Sequence, residues 1–149
     1  MRHSLITANI TGALWQRLRG KACTPYDSNL RLVVKKTGMR CYPDTTVCCG
    51  AIVPDEEDDS SETITNPTAL FEVLSKSTEA YDRGFKAENY RQIDSLRVYV
   101  LVAQDAPHAE LYERQTDGSW LLREVRGLNA ALSVGARCRA AAGGDLRPR

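Results

Sequence analysis

The strongest constraint on this chain is a strand–helix–strand pattern between residues 69 and 104. Residues 69–75, ALFEVLS, form a short apolar run between Asn66-Pro67 and Ser77-Thr78, which is how a strand buried on both faces reads. Ser77 or Thr78 can cap a helix and Glu79 suits its first turn, so a helix is expected to run on to about Ile93. Residues 97–104, RVYVLVAQ, are apolar and β-branched and read as a second strand. Two strands joined through a helix lie parallel with a right-handed crossover. The expected fold class is therefore α/β, a mixed β-sheet flanked by helices.

The rest of the chain extends that sheet. Ile6, Ile10, Leu14 and Leu18 recur every four residues, so residues 4–19 read as an amphipathic helix that stops at Gly20. NLRLVVKK, residues 29–36, reads as a strand that turns at Lys36-Thr37-Gly38-Met39. Residues 40–49 read as the return strand, which Pro43 confines to a bulge or an edge. PDEEDDSSE, residues 54–62, lacks the central glycine and alternating acids of a calcium loop and reads as a solvated, mobile loop. HAELYER and SWLLREV form a hairpin around Thr116-Asp117-Gly118. From residue 135 the sequence turns to Gly, Ala and Arg without apolar periodicity. The expected organisation is one domain over 1–134 and a disordered tail over 135–149.

Bulk properties narrow the function. A net charge of +1 gives no broad basic surface, so any nucleic-acid contact has to come from local patches. Candidates are Arg17, Arg19 and Lys21, then Lys35, Lys36 and Arg40; a solvated surface explains them equally well. The five cysteines contain no CxxC pair and only two histidines could join them, so partly buried, reduced thiols are expected and a structural zinc is not. No apolar run approaches the ~18 residues of a membrane helix, and MRHSLITANITG contains no long apolar core of a secretory signal. The expected location is the cytoplasm, without membrane association.

Two acids and a lysine carry the chemistry. Glu72 sits between Phe71 and Val73 in a run that otherwise reads as buried. A buried carboxylate costs several kcal/mol unless it is paired or binds a metal, so Glu72 is either a ligand or half of a buried salt bridge. Asp44 follows Pro43 and is either a second ligand or a bulge acid. Two carboxylates suit Mg²⁺, which water and substrate phosphate then complete. Asp82, Lys86 and Tyr90 are spaced by four and share a helix face. Lys86 there can reach back to its parent strand and neutralise a phosphate, or simply pair with Asp82 on the surface.

These residues carry a family resemblance. NPTALFEVLSKSTEAYDRG, the helix pattern of Asp82, Arg83, Gly84, Lys86 and Tyr90, the Tyr42-Pro43-Asp44 triplet and the Asp117-Gly118 to Trp120 hairpin together resemble the restriction-endonuclease family labelled Uma-two, of the PD-(D/E)xK nuclease superfamily. The resemblance covers roughly residues 3 to 132. In that superfamily an Asp follows a Pro, and a Glu on the next strand is followed two residues later by Lys. Here Pro43-Asp44 and Glu72-Val73 match, but Leu74 stands at the lysine position. The resemblance implies that the lysine has moved onto the helix as Lys86. It also implies that the fold is restriction-endonuclease-like; Asp105, which ends a strand resembling a family segment, reads as structural.

What the resemblance implies is a divalent-metal-dependent DNA endonuclease. Asp44 and Glu72 would hold Mg²⁺ (or Mn²⁺), Lys86 would be catalytic, and Val73, Asp82 and Tyr90 would support them. Family members resemble homodimers. They begin with an extra YELIDGE-like segment and end with a further strand and helix, so this chain resembles a copy trimmed at both ends. The apolar stripe of the first helix is then expected to be left exposed and to drive dimerisation. The alternatives are a catalytically inactive remnant serving as a nucleic-acid-binding or dimerising module, and an interaction protein whose Glu72 is only salt-bridged.

Overall fold

The structure is a computed structural model that describes residues 1–133. The tail expected from residue 135 lies outside the described residues. The element order is α1 (Arg2–Leu18), β1 (Cys23–Tyr26), β2 (Arg31–Val33), β3 (Arg40–Cys41), β4 (Thr45–Cys49), β5 (Thr63–Ile64) and β6 (Ala69–Val73). There follow α2 (Glu79–Tyr81), a π-helical turn (Asp82–Lys86), α3 (Ala87–Tyr90), β7 (Val98–Val102), β8 (His108–Arg114) and β9 (Trp120–Arg126). A last helical turn covers residues 128–133.

The main sheet has the order β1-β4-β6-β7-β8-β9, and β3-β2-β5 form a second, smaller sheet. Within the main sheet only β6 and β7 are parallel, with Glu72 opposite Leu101, and the helical crossover joins them. The mixed sheet expected from the sequence is present. The carboxyl ends of its parallel pair open where an antiparallel neighbour, β4, begins, and α/β sheets commonly bind ligands at such a change of strand direction.

Both faces of β6 are buried, as the unbroken apolar run required. Ala69, Phe71 and Val73 face α1, whose Ile10, Leu14 and Leu18 pack among Val47, Val100 and Leu111. Leu70 and Leu74 face the other layer, with Tyr99, Leu101, Ala87, Tyr90, Ile93 and Leu96. Each fully buried side chain of this size contributes roughly 1.5–3 kcal/mol, so the two layers fix β6 from both sides. The α1 stripe is thus not exposed as expected. Ile10 and Leu14 are fully buried and Leu18 nearly so, because the sheet of this chain itself covers them.

Several local expectations need correction. The strand at 29–36 shortens to β2, because Val34 closes a turn onto Met39 and Gly38 takes a positive φ of 78°. The return strand splits at Tyr42–Asp44 into β3 and β4, which belong to different sheets. Pro43 has no N–H to continue a ladder, so the break delivers Asp44 to the start of β4. The acidic run is anchored rather than wholly solvated: the Asp55 side chain is buried and accepts from Lys35 at 2.8 Å and Arg40 at 2.9 Å. The cysteines are not all reduced. The β1–β4 register sets Cys23 directly opposite Cys49, and the two form a disulfide. Cys41 and Cys48 are free thiols, and burial pushes the Cys48 pKa up to about 12.

Among the described residues no helix is long and apolar enough to cross a membrane.

Candidate functional site

Asp44, Glu72 and Lys86 converge where β4 starts and β6 ends. In the β4–β6 register Thr45 lies opposite Phe71, so the next position brings Asp44 beside Glu72. The Asp44 N–H points to Glu72 Oε2 at 3.4 Å. The Asp44 carboxylate reaches across to accept from the Val73 N–H at 2.7 Å through Oδ2. The same oxygen meets His3 Nε2, on the first turn of α1, at 3.2 Å.

Lys86 and Tyr90 approach Glu72 from the crossover. The Lys86 ammonium donates to Glu72 Oε1 at 2.8 Å, and the Tyr90 hydroxyl donates to the same oxygen at 2.8 Å. Asp82 Oδ1 lies 3.5 Å from the Lys86 ammonium. The Asp82–Lys86 pair is therefore a buried one, with side chains 5% and 12% exposed, and not a solvated surface pair. The π-helical turn contributes to this placement. It spans Asp82–Lys86, where the sequence predicts continuous α-helix. Such turns insert a residue and re-aim the side chains that follow, and they recur at functional sites.

Tyr90 is fixed in turn by Tyr99, edge-on at 5.0 Å, and Cys41 Sγ lies 3.3 Å from its hydroxyl. The Tyr99 hydroxyl donates to the Asp82 carbonyl at 3.0 Å, which ties the π-helical turn to β7.

Electrostatics at the pair are unequal. Burial raises the Glu72 pKa, Lys86 opposes that rise, and the value stands at about 7. At Lys86 burial disfavours the ammonium, but Glu72 and Asp82 outweigh it and hold the pKa above its ordinary value. Desolvation wins at the acid and attraction wins at the base. Burial also raises the Tyr90 pKa well above its usual value, so the phenol remains a donor.

The donor set fits a hard divalent cation. Asp44 Oδ1 accepts no hydrogen bond among the described residues, and Glu72 Oε2 has only the long 3.4 Å contact. Each acid thus keeps one oxygen largely uncommitted while its other oxygen is held in place. Oxygen donors of this kind suit Mg²⁺ or Mn²⁺. A second group with ligand spacing lies on β8 and β9, where His108, Glu110 and Glu124 bring donor atoms within 4.8 Å of one another. There Glu110 is already engaged by Arg83.

All the residues named from the sequence as a site are brought together: Asp44, Glu72, Val73 through its N–H, Asp82, Lys86 and Tyr90. His3 was missed. A histidine one turn ahead of an apolar stripe carries no local signal, and only the α1–β4 packing reveals its partner. The second of the two basic patches is taken up by the chain's own carboxylates. Lys35 and Arg40 hold Asp55, and Lys36 pairs with Asp94 at 2.7 Å.

Comparison with known proteins agrees with the geometry. The structure resembles a crystal structure described as "a putative nuclease belonging to DUF820" from Anabaena variabilis, with a TM-score of 0.64 at 15% identity, covering 85% of this chain and 68% of that one. That likeness supports the restriction-endonuclease-like fold. Two uncharacterized proteins of Synechocystis sp. are similar in sequence. One, slr1290, is 36% identical over 121 residues, 80% of this chain and 61% of the relative. The other, sll1609, is 32% identical over 130 residues, 87% of this chain and 72% of the relative. The chain thus spans less than two thirds of the length of slr1290. The model of the Uma2 family, described as "Putative restriction endonuclease", matches residues 1–138, and the chain belongs to that family.

Proposed function

We propose that the chain is a divalent-metal-dependent DNA endonuclease that hydrolyses phosphodiester bonds at the Asp44–Glu72–Lys86 site. The observation that supports this reading is the pairing of two carboxylates, each with one uncommitted oxygen, beside a buried lysine. Asp44 and Glu72 would hold Mg²⁺ or Mn²⁺. The Val73 carbonyl would join them, since N–H and C=O of one strand residue point to the same side and the Val73 N–H faces Asp44. The bound ion would supply Lewis-acid stabilisation of phosphate charge and a lowered pKa for water.

The chain's own groups prepare that chemistry. Lys86 and Tyr90 share Glu72 Oε1 and orient the carboxylate, which lets a desolvated acid act as an anion. Val73 N–H and His3 hold Asp44. Lys86 has hydrogens beyond the one it gives Glu72, and these can orient the attacking water or neutralise charge on the phosphate. Asp82 keeps the ammonium in place. In the inactive-remnant alternative Lys86 and Glu72 would remain paired for structure alone.

The test is nicking of supercoiled plasmid by the full chain with Mg²⁺ or Mn²⁺. Nicking that disappears with EDTA and in Glu72→Gln supports the reading. Nicking that survives either change, or no cleavage of plasmid or of single-stranded DNA with either metal, refutes it.

A homodimer remains part of the proposal, but the buried Ile10, Leu14 and Leu18 stripe of α1 is not available as its surface. Leu121 and Leu122 are about half exposed on β9, which among the described residues is an edge strand of the main sheet, and an edge strand is a natural place for a second copy to add.

A further inference from the structure

The aromatic side chains that this surface leaves open gather around the candidate site. Among the described residues Trp15, Tyr42, Tyr81 and Phe85 are the large aromatics that stand about half exposed, between 47% and 53%. Tyr81 directly precedes Asp82, Phe85 directly precedes Lys86, and Tyr42 lies two residues before Asp44. Trp15 lines an open groove of about 430 Å³ that also contains His3 and Asp44. Tyr81 and Phe85 stack on each other, with centroids 5.4 Å apart and planes at 27°. The Lys86 ammonium lies 5.9 Å from the Tyr81 ring centre, so this aromatic pair borders the lysine that also holds Glu72.

On another side of the crossover helix lies a cavity of about 540 Å³ at the carboxyl ends of β6 and β7. Arg2, Lys76 and Arg83 line it. Arg83 is paired with Glu79 and Glu110, whereas Arg2 and Lys76 have no carboxylate partner among the described residues. Flat apolar faces thus border Lys86, while two cations without a carboxylate partner among the described residues line the neighbouring cavity, together with Glu79 and Asp105.

Resting on the nuclease reading above, we infer that the substrate is a nucleic-acid strand with unpaired nucleotides, whose bases stack on Tyr81 and Phe85 while its backbone follows Lys86 toward Lys76 and Arg2. In an intact duplex the bases stack on each other and offer no face to a protein ring. Single strands do, and stacking on aromatics is their main sequence-tolerant source of affinity. The charge distribution favours the same class. Duplex binding depends on many phosphate contacts, yet this chain has a net charge of +1 and commits Arg31, Lys35, Lys36 and Arg40 to its own carboxylates.

The test is fluorescence anisotropy of the full chain in EDTA, with a short labelled oligothymidine and a duplex of equal length. The single strand binds more tightly. Tyr81→Ala/Phe85→Ala weakens it by roughly tenfold or more, the loss of one or two stacked bases, and leaves duplex binding unchanged. Tyr81→Phe/Phe85→Trp, which keeps both rings, binds the strand as the parent does. Equal affinity for duplex and strand overturns the inference. So does an alanine variant that binds the strand normally, including one whose only change is loss of self-association in sedimentation. Strand binding without metal-dependent cleavage of either strand or plasmid would remove the endonuclease reading and leave the stacking surface standing. Nicking of duplex that is indifferent to both aromatics would do the reverse.

Discussion

Glu72→Gln separates a functional carboxylate from a structural one through the pH dependence of stability. The folded-state pKa of about 7 lies above the ordinary 4.5, so between those values the folded chain carries more proton at this site than the unfolded chain. Stability then falls as pH rises through that window. The gap corresponds to roughly 3 kcal/mol of cost for ionising Glu72 in place. Gln mimics the protonated acid: its carbonyl still accepts from Lys86 and Tyr90, and only the long Asp44 N–H contact meets a donor. The variant should therefore match the parent near pH 4.5 and exceed it by up to roughly 3 kcal/mol at pH 8, a rise in Tm of about 5–10 °C for a domain of this size. Urea or thermal unfolding of both chains at the two pH values, in EDTA and without reductant, measures the difference. A variant less stable than the parent at pH 8 would mean that the Lys86–Glu72 pair is a net stabiliser. The same stability difference at both pH values would mean that Glu72 ionises as readily folded as unfolded. Either result refutes the reasoning.

Lys86→Met should abolish nicking, yet its stability cost should depend on pH. Breaking a buried pair ordinarily costs 3–5 kcal/mol, but Glu72 can take up a proton, so the loss should stay within about 1 kcal/mol at pH 5 and grow to roughly 2–3 kcal/mol at pH 8 in urea titrations. Cutting the Cys23–Cys49 disulfide, which closes a loop across a sequence separation of 26, should lower stability by roughly 3–4 kcal/mol; melts with and without reductant check this, and identical melts would show that the bond does not contribute. If dimers form through β9, Leu121→Lys should convert the sedimenting species to monomer at micromolar concentration while leaving the unfolding midpoint of the monomer nearly unchanged.

The elements that the sequence made legible are those whose burial is complete. ALFEV and VYVLV have no polar face, so they read as central strands and are central strands. The α1 stripe gave the helix but not what covers it, because periodicity identifies an apolar face and cannot say whether its partner is the same chain. The short β1 and β5 left no signal. β1 contains a proline and pairs only along one edge, and β5 is two residues long inside a polar stretch. The charge run misled for a related reason. Composition reports average solvation, whereas Asp55 is buried by two cations that arrive from the β2–β3 turn and from β3.

The site shows the same division. Glu72 was visible because a carboxylate inside an apolar strand violates the local rule, and a violation of that kind marks either an ion pair or a ligand. Here the ion pair is present: one oxygen is held by Lys86 and Tyr90, and the other is nearly uncommitted, as the proposed ligand role requires. Lys86 had no local signature, since a lysine four residues after an aspartate on a helix is ordinary. It closes the π-helical turn, and nothing in the spacing of Asp82, Gly84 and Lys86 predicts that turn. A lysine at position 74, directly after β6, would have faced the same layer as Glu72 and would have needed no such turn. With Leu74 filling that position in the core, the cation reaches Glu72 from the crossover instead, at the end of the irregular turn Asp82–Lys86. Lysine and irregular turn thus lie together, and straightening the turn into regular α-helix would re-aim Lys86 relative to Glu72 even with every site residue retained.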